Sequence, residues 1–308
     1  MRLKAEQPDW PVACYREFAP REDLAEYVRA FFTFGPPAEA MGPAAGRVTL
    51  QLLLASDDPF VAPSFADANP SIVVNLARRL GPDRIWGNAG ALSAHVLGPM
   101  TAVAPPPPRG HAVMVGVYFQ PARALPFTGL PLSELTNRIR SLDELWGPAG
   151  ADLPEELDAM SEAARIDRLE SELIQRLGRR REPGTRIDVP GLAARARQSR
   201  GRVSVERLAD AAGVSRQHLT RVFHELVGVS PKMYCRLARF HSALGFAADG
   251  TRAAWAELAA ALGYADQSHM IAEFREFSSL TPQQVTDARV FHPFIESARA
   301  SALVRPQR

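Results

Sequence analysis

The chain has 308 residues, 46% of them hydrophobic, and a formal net charge of +2, so it has room for two domains with cores of their own. Its 2 cysteines, Cys14 and Cys235, lie far apart with no Cys-x-x-Cys or Cys/His cluster, which argues against a disulfide framework or structural zinc and for a reducing cytoplasm. No apolar run approaches the roughly 20 residues of a bilayer span, and Lys4, Glu6 and Asp9 interrupt the stretch where a secretory h-region would lie.

In chain order, a helix is predicted over residues 23–33, followed by a mainly β region. Residues 47–54, 71–77 and 111–120 are short runs of β-branched and aliphatic residues bounded by Pro, Gly and Asp, and read as strands. Residues 100–110 contain Pro105, Pro106, Pro107 and Pro108, which cannot donate to a ladder, and read as a loop. Short strands with long connections suggest a barrel or sandwich. From Pro131 the apolar period changes from about 2 to about 3.6. A helix is expected near Ser133, and Ile166, Leu169, Leu173 and Leu177 form one helical stripe. That stripe either packs onto its own domain or forms a dimer seam. Residues 179–184, charged and ending in Pro183-Gly184, read as a linker.

The C-terminal half is predicted helical throughout and repeats one small unit. Leu208-Ala209 precedes Gly213 and a run to Phe223; Leu258-Ala259 precedes Gly263 and a run to Phe274. A small residue four positions before a glycine is what a helix-turn-helix requires: close helix packing, then a left-handed turn. Ser204 and Ser215 are expected N-caps, Gly228 a C-cap, and Ser230-Pro231 the start of a long helix to Ala248 that Asp249-Gly250 ends. Thr281-Pro282 opens a last helix by the same logic. Charge divides the same way: residues 1–185 hold 19 Lys and Arg against 23 Asp and Glu, while residues 186–308 hold 17 against 11. The resulting −4 and +6 fit a second half that meets a polyanion, chance scatter of surface charge being the alternative.

On the first of these units Leu219 and Phe223 must face the core, which leaves Arg216, Gln217, Thr220, Arg221 and His224 outside. Arginine pairs in bidentate fashion with guanine and glutamine with adenine. Gln217, Thr220 and Arg221 are therefore expected base readers, and Arg216 a phosphate or base contact. A merely solvated helix face is the alternative. On the second unit Gln267, Ser268 and His269 offer bonds to bases or backbone, and Ile271 a contact to a thymine methyl, with Met270 and Phe274 inward. Glu273 is expected to repel phosphate.

The residues from Val214 to Phe223, Gly228-Val229-Ser230-Pro231, Leu262-Gly263-Tyr264-Ala265-Asp266-Gln267-Ser268, Phe274 and Thr281-Pro282 together resemble the DNA-binding domain of AraC/XylS-type transcriptional regulators, over roughly residues 190–290. The resemblance implies two helix-turn-helix units joined by one long helix, here about residues 231–248, each placing a recognition helix in a successive major-groove segment. The family usually has arginine where this chain has Ala272, so the second unit is expected to add less specificity and to anchor through its helix N-terminus. More weakly, Tyr15 to Pro20, Gly116 to Pro121 and Leu142 to Gly147 resemble the regulatory domain of some of these proteins, which implies small-molecule sensing or dimerisation. Pro121-Ala122-Arg123-Ala124 departs from the Pro-Gly-Gly-Ala turn often seen there. Trp86, Tyr118 and Phe119 are the effector-site candidates, with Phe127 beside them and plain core as the alternative.

The expected class is α+β: a β-rich, barrel- or sandwich-like regulatory domain with flanking helices (residues 1–178), a linker (179–187), an all-α double helix-turn-helix domain (188–292) and a tail (293–308). No nucleophile elbow, Walker loop or His-Glu-x-x-His occurs, so no catalytic residues and no cofactor are expected. His95 and His111 could join Asp67 or Asp83 in a cupin-type metal site, but the spacing carries no signature and isolated surface or core histidines are the better reading. The expected partners are double-stranded DNA, read in the major groove by a ligand-responsive regulator, a second copy of the chain, a small-molecule effector and RNA polymerase, with no membrane.

Overall fold

The computed structural model describes residues 13–35, 48–54, 65–76, 92–103, 113–179, 185–248 and 255–288. Trp86, His111, Asp83, the run of four prolines, the charged linker after Arg179, and Asp249-Gly250 lie outside the described residues.

The helix expected over residues 23–33 is not formed. Only Glu22–Leu24 makes a single 3-10 turn, and Val28–Gly35 is strand β2, paired with β1 (Ala13–Phe18) on one side and β6 (Met114–Phe119) on the other. Six of its eight residues are buried, on both faces of the sheet. A surface helix would bury one stripe of such a segment; a central strand buries all of it, so tertiary pairing overrides local pattern. With β3 (Val48–Leu54), β4 (Ser71–Asn75), β5 (Ser93–Leu97) and β7 (Ile139–Ser141) these strands form one antiparallel sheet in the order β3-β1-β2-β6-β4-β5-β7. The helix expected near Ser133 is a 3-10 turn, Leu132–Glu134, and β7 separates it from the next helix.

The two faces of the sheet carry different chemistry. One is apolar and mainly aliphatic: Ile72, Val74, Val96, Val115 and Val117, with Phe31 among them, pack with Leu153, Leu157, Ile166, Leu169 and Leu173. These come from α3 (Pro148–Asp158) and α4 (Glu162–Arg179), which follow α1 (Leu125–Thr128) and α2 (Leu142–Trp146). The α4 stripe thus serves its own domain. Polar ties hold it there: Glu162 at its start accepts from Arg16 and from Thr33 Oγ1, and Glu170 Oε1 accepts from the Arg21 amide at 2.9 Å. On the other face Tyr15, Phe32 and Tyr118 stack in a row. The Arg29 guanidinium lies 4.5 Å above the Tyr118 ring and 3.2 Å from Glu17, to which the Tyr15 hydroxyl donates.

The C-terminal half is helical: α5 (Val189–Gln198), α6 (Val205–Ala212), α7 (Arg216–Val227), α8 (Pro231–Ala248), α9 (Trp255–Leu262), α10 (Gln267–Ser278) and α11 (Pro282–Ala288). The start of α8 at Pro231 and of α11 at Pro282 follows from proline's fixed φ and missing N–H, which suit the first helical position. Helix α8 is the spine. The Tyr234 ring meets Phe223 of α7 edge-on at 5.5 Å, and the Phe240 ring meets Phe274 of α10 at 5.2 Å.

Candidate nucleic-acid interface

The two helix-turn-helix units are built from the same bonds. In the first, Gly213 turns with φ 64° and the Val214 amide donates to Ala209 O at 3.1 Å. In the second, Gly263 turns with φ 79° and the Tyr264 amide donates to Ala259 O at 2.9 Å. Ser215 Oγ then accepts from the His218 amide at 3.2 Å, and Asp266 Oδ1 from the His269 amide at 2.8 Å, each fixing the start of the helix that follows. The second turn is one residue longer, so α7 and α10 correspond with an offset of 51.

In that register the buried positions coincide: Leu219, Val222, Phe223, Leu226 and Val227 in α7 match Met270, Glu273, Phe274, Phe277 and Ser278 in α10. Both helices end on a left-handed residue, Gly228 and Ser279. The outward positions then match as Arg216 with Gln267, Gln217 with Ser268, Thr220 with Ile271, Arg221 with Ala272, and His224 with Arg275.

All five outward residues of α7 are exposed along one ridge. Arg216 pairs with Glu206 at the start of α6, at 2.8 Å, with both side chains more than half exposed. An ion pair this exposed is weak and screened by salt, so it orients Arg216 yet yields to a phosphate. Thr220 Oγ1 donates back to Arg216 O at 2.8 Å, which leaves its methyl group and the hydroxyl's acceptor lone pairs for a base edge. Pro131 and Ser133 of the N-terminal domain rim the concave surface beside this ridge, with Lys232 from α8.

The second ridge differs from the sequence expectation in two ways. Glu273 is 2% exposed, in the slot that Val222 fills in the first unit, and accepts from Arg236 Nε of α8 at 2.7 Å. It is a tie between helices; a carboxylate so buried and so paired presents no charge to a phosphate. His269 is turned the same way. Its ring stands edge-on to Tyr264 at 5.4 Å and lies 3.7 Å from Glu273, leaving less of it for bases than Gln267 and Ser268, which are exposed. Ile271 is half-buried, and Ala272 is exposed and contributes no bond. The sequence reading missed Arg275, exposed one turn beyond Ala272 and equivalent to His224. The 51-residue offset, taken through the whole helix, would have found it.

Among the described residues, the effector candidates Tyr118 and Phe119 do not converge. Tyr118 lies on the aromatic face, stacked on Phe32 at 4.6 Å. Phe119 points to the opposite face, fully buried, and stacks on Phe127 at 5.0 Å. Both Phe119 and Phe127 are core. His95 is buried on β5, and burial holds its pKa below the usual histidine range against the pull of Asp143 and Glu144. Among the described residues no group of three or more His, Cys, Asp and Glu is placed to hold a metal ion, and no helix is long and apolar enough to cross a membrane.

Residues 208–288 match the family described as a helix-turn-helix domain, and residues 16–141 match a domain of unknown function, DUF6597. No curated protein matches the chain in sequence. Among solved structures, the C-terminal domain of AraT, a response regulator from Geobacillus stearothermophilus, is 23% identical, with 35% of this chain and 93% of that one covered and a TM-score of 0.30. ToxT from Vibrio cholerae O395 is 9% identical over 76% of this chain and 94% of its own, with a TM-score of 0.42. Unsaturated fatty acid bound ToxT from Vibrio cholerae strain SCE256 is 10% identical over 93% and 97%, with a TM-score of 0.40. At such scores the assignment rests on the matched domain and on the duplicated turns, caps and buried positions. The chain carries an AraC/XylS-type double helix-turn-helix domain behind an N-terminal domain of a family without an assigned function.

Proposed function

We propose that this DNA-binding transcription regulator reads sequence mainly through α7, with α10 holding the neighbouring groove, and that its N-terminal domain answers to a small-molecule effector. The observation that carries the DNA reading is the ridge of Arg216, Gln217, Thr220, Arg221 and His224, exposed on a helix whose turn, cap and core are all satisfied. Polar side chains on so well-held a helix cost little entropy to align with base edges. Gln267 and Ser268, at the α10 N-terminus, suit phosphate better than bases, and exposed Arg275 stands two turns further along the same helix. A pair of chains would read both halves of a tandem or inverted site.

Arg221→Ala tests this reading. It should weaken binding to the selected duplex by about 1–3 kcal/mol and relax one base position, while a random duplex loses less. Equal loss on both would make Arg221 a phosphate contact. Effector sensing rests on the resemblance of this domain to sensing domains; in the aromatic row Tyr15 and Phe32 are buried and Tyr118 is half-buried, so the row would have to part to admit a flat apolar molecule. One observation favours a second reading, in which the N-terminal domain only dimerises or contacts RNA polymerase: Arg29 and Tyr15 on that face are already turned to Glu17. A thermal-shift screen of small aromatic compounds on the full chain separates the two, since only the first predicts a shift.

A further inference from the structure

The N-terminal domain holds both recognition helices, and holds each at the same end. Thr136 Oγ1 donates to the carbonyl of Gly228, the C-cap of α7, at 2.6 Å. The Ala66 amide donates to the carbonyl of Phe277, in the last turn of α10, at 2.9 Å. Each contact is backed by close packing. A Cβ on Gly228 would lie 2.7 Å from the Pro99 ring and 2.8 Å from Leu132 O, an approach open only to glycine, whose φ there is 83°. The fully buried Phe65 ring stands edge-on to Phe240 of α8 at 6.3 Å, and His241 Nε2 donates to Ala66 O at 2.8 Å.

The segments that make these two grips are themselves one body. The Met100 amide donates to Asp67 O at 2.7 Å, the Asn137 amide to Pro99 O at 2.8 Å, and the Gly98 amide to Arg138 O at 3.0 Å. The Asn137 side chain adds further bonds with Thr101, its Oδ1 accepting from the Thr101 amide at 2.7 Å and its Nδ2 donating to Thr101 Oγ1 at 2.8 Å. Backbone bonds of this density make a stiff strip, and its two ends close on the two reading helices. Within the C-terminal half, α7 and α10 are related through α8 and the apolar core it shares with α5 and α9, so the strip is a second link between them.

We propose that residues 65–67, 98–101 and 132–138 form a gauge that sets the separation of the two recognition helices, so that the N-terminal domain fixes the spacing of the two DNA half-motifs. Phe65, Ala66 and Thr136 are then positioning residues: they touch no nucleotide and act through Phe277 and Gly228. The geometry leaves room for this role with DNA bound, because both grips lie at helix C-terminal ends while N-terminal residues reach base edges. The proposal rests on the DNA-binding reading above. One base pair adds about 3.4 Å between half-motifs, a step that two helices held by a stiff strip cannot follow without losing contacts.

The test is selection of the full chain against a random-sequence duplex library, followed by affinity measurements on the enriched duplex and on versions with one base pair inserted or removed between its halves. Wild type should enrich two half-motifs at one separation and lose on the order of tenfold or more in affinity on the altered spacings. Thr136→Val removes the donor without changing shape, and Phe65→Ala empties the seat beside Phe240. Either should enrich the same half-motifs at several separations, with the altered spacings bound within about threefold of the original. Thr136→Ser keeps the donor and should restore the single separation. If Phe65→Ala fails to fold, Thr136→Val alone decides. Variants that keep the wild-type separation overturn the proposal, as do variants that bind the same spacing more tightly, which would make the grip a restraint. A wild type that enriches only one half-motif also overturns it while leaving DNA recognition intact. A wild type that enriches no sequence overturns the DNA reading itself.

Discussion

Replacing Glu273 by alanine asks whether this acid belongs to the DNA surface or to the fold. The carboxylate is 2% exposed and accepts from Arg236 Nε at 2.7 Å, while Arg236 Nη2 also reaches Glu276 at 2.6 Å and the guanidinium stacks 4.8 Å from the Phe277 ring. Removing one partner of a fully buried pair costs about 3–5 kcal/mol. Arg236 is a quarter exposed and keeps Glu276, so solvent and the remaining partner lower the expected cost to about 2–3 kcal/mol. Urea unfolding of the full chain, followed by helical circular dichroism, reads this directly. The double variant R236M/E273V, which gives the second unit the apolar slot of the first, should recover to within about 1 kcal/mol of wild type. Affinity for a duplex, corrected for the folded fraction, should change less than about twofold in either variant, because no phosphate can approach a carboxylate this deep. Unchanged stability together with a several-fold gain in affinity would refute the argument and return Glu273 to the surface.

Three further outcomes are expected. Glu206→Gln frees Arg216 and removes an exposed acid beside the ridge, so affinity for random duplex should rise roughly two- to fivefold at low salt and the gain should fade as salt increases; a gain that persists in high salt would mean a structural cause. Arg275→Ala should lower the slope of log affinity against log salt by about 0.9, the loss of one phosphate contact, with the sequence preference intact, and an unchanged slope would take Arg275 off the DNA. His95 has its pKa lowered by burial, so the unfolded chain binds the proton more readily. Its contribution to stability is present above about pH 6.5 and is lost as pH falls below that value; His95→Gln should flatten this limb of the stability profile, and a profile of the same slope would show that another group causes it.

The helix-turn-helix units were legible because everything that makes them is local. A small residue, a glycine four positions on, a capping Ser or Asp and a run of inward apolar residues lie within a single stretch of chain, as Ala209 to Phe223 and Ala259 to Phe274 show. The start of α8 at Pro231 and the single stripe of α4 were legible for the same reason. The sheet was less so. Val28–Gly35 lies centrally and is buried on both faces, so it lacks the alternation that marks a half-exposed strand, and only its pairing with β1 and β6 makes it one.

Sequence by itself determined what this chain is: a duplicated helix-turn-helix whose ridge residues are set by spacing along one helix. Tertiary structure alone decided which residues those ridges keep. It took Glu273 inward to Arg236, turned His269 onto Tyr264, left Arg275 free on the surface, and brought Ala66 and Thr136 onto the ends of α10 and α7. The physical reason is reach. Caps, turns and helical stripes act over a few residues, whereas a carboxylate's partner lies 37 residues away and the grip on Gly228 comes from 92 residues upstream. Such contacts exist only once the core has brought distant segments together.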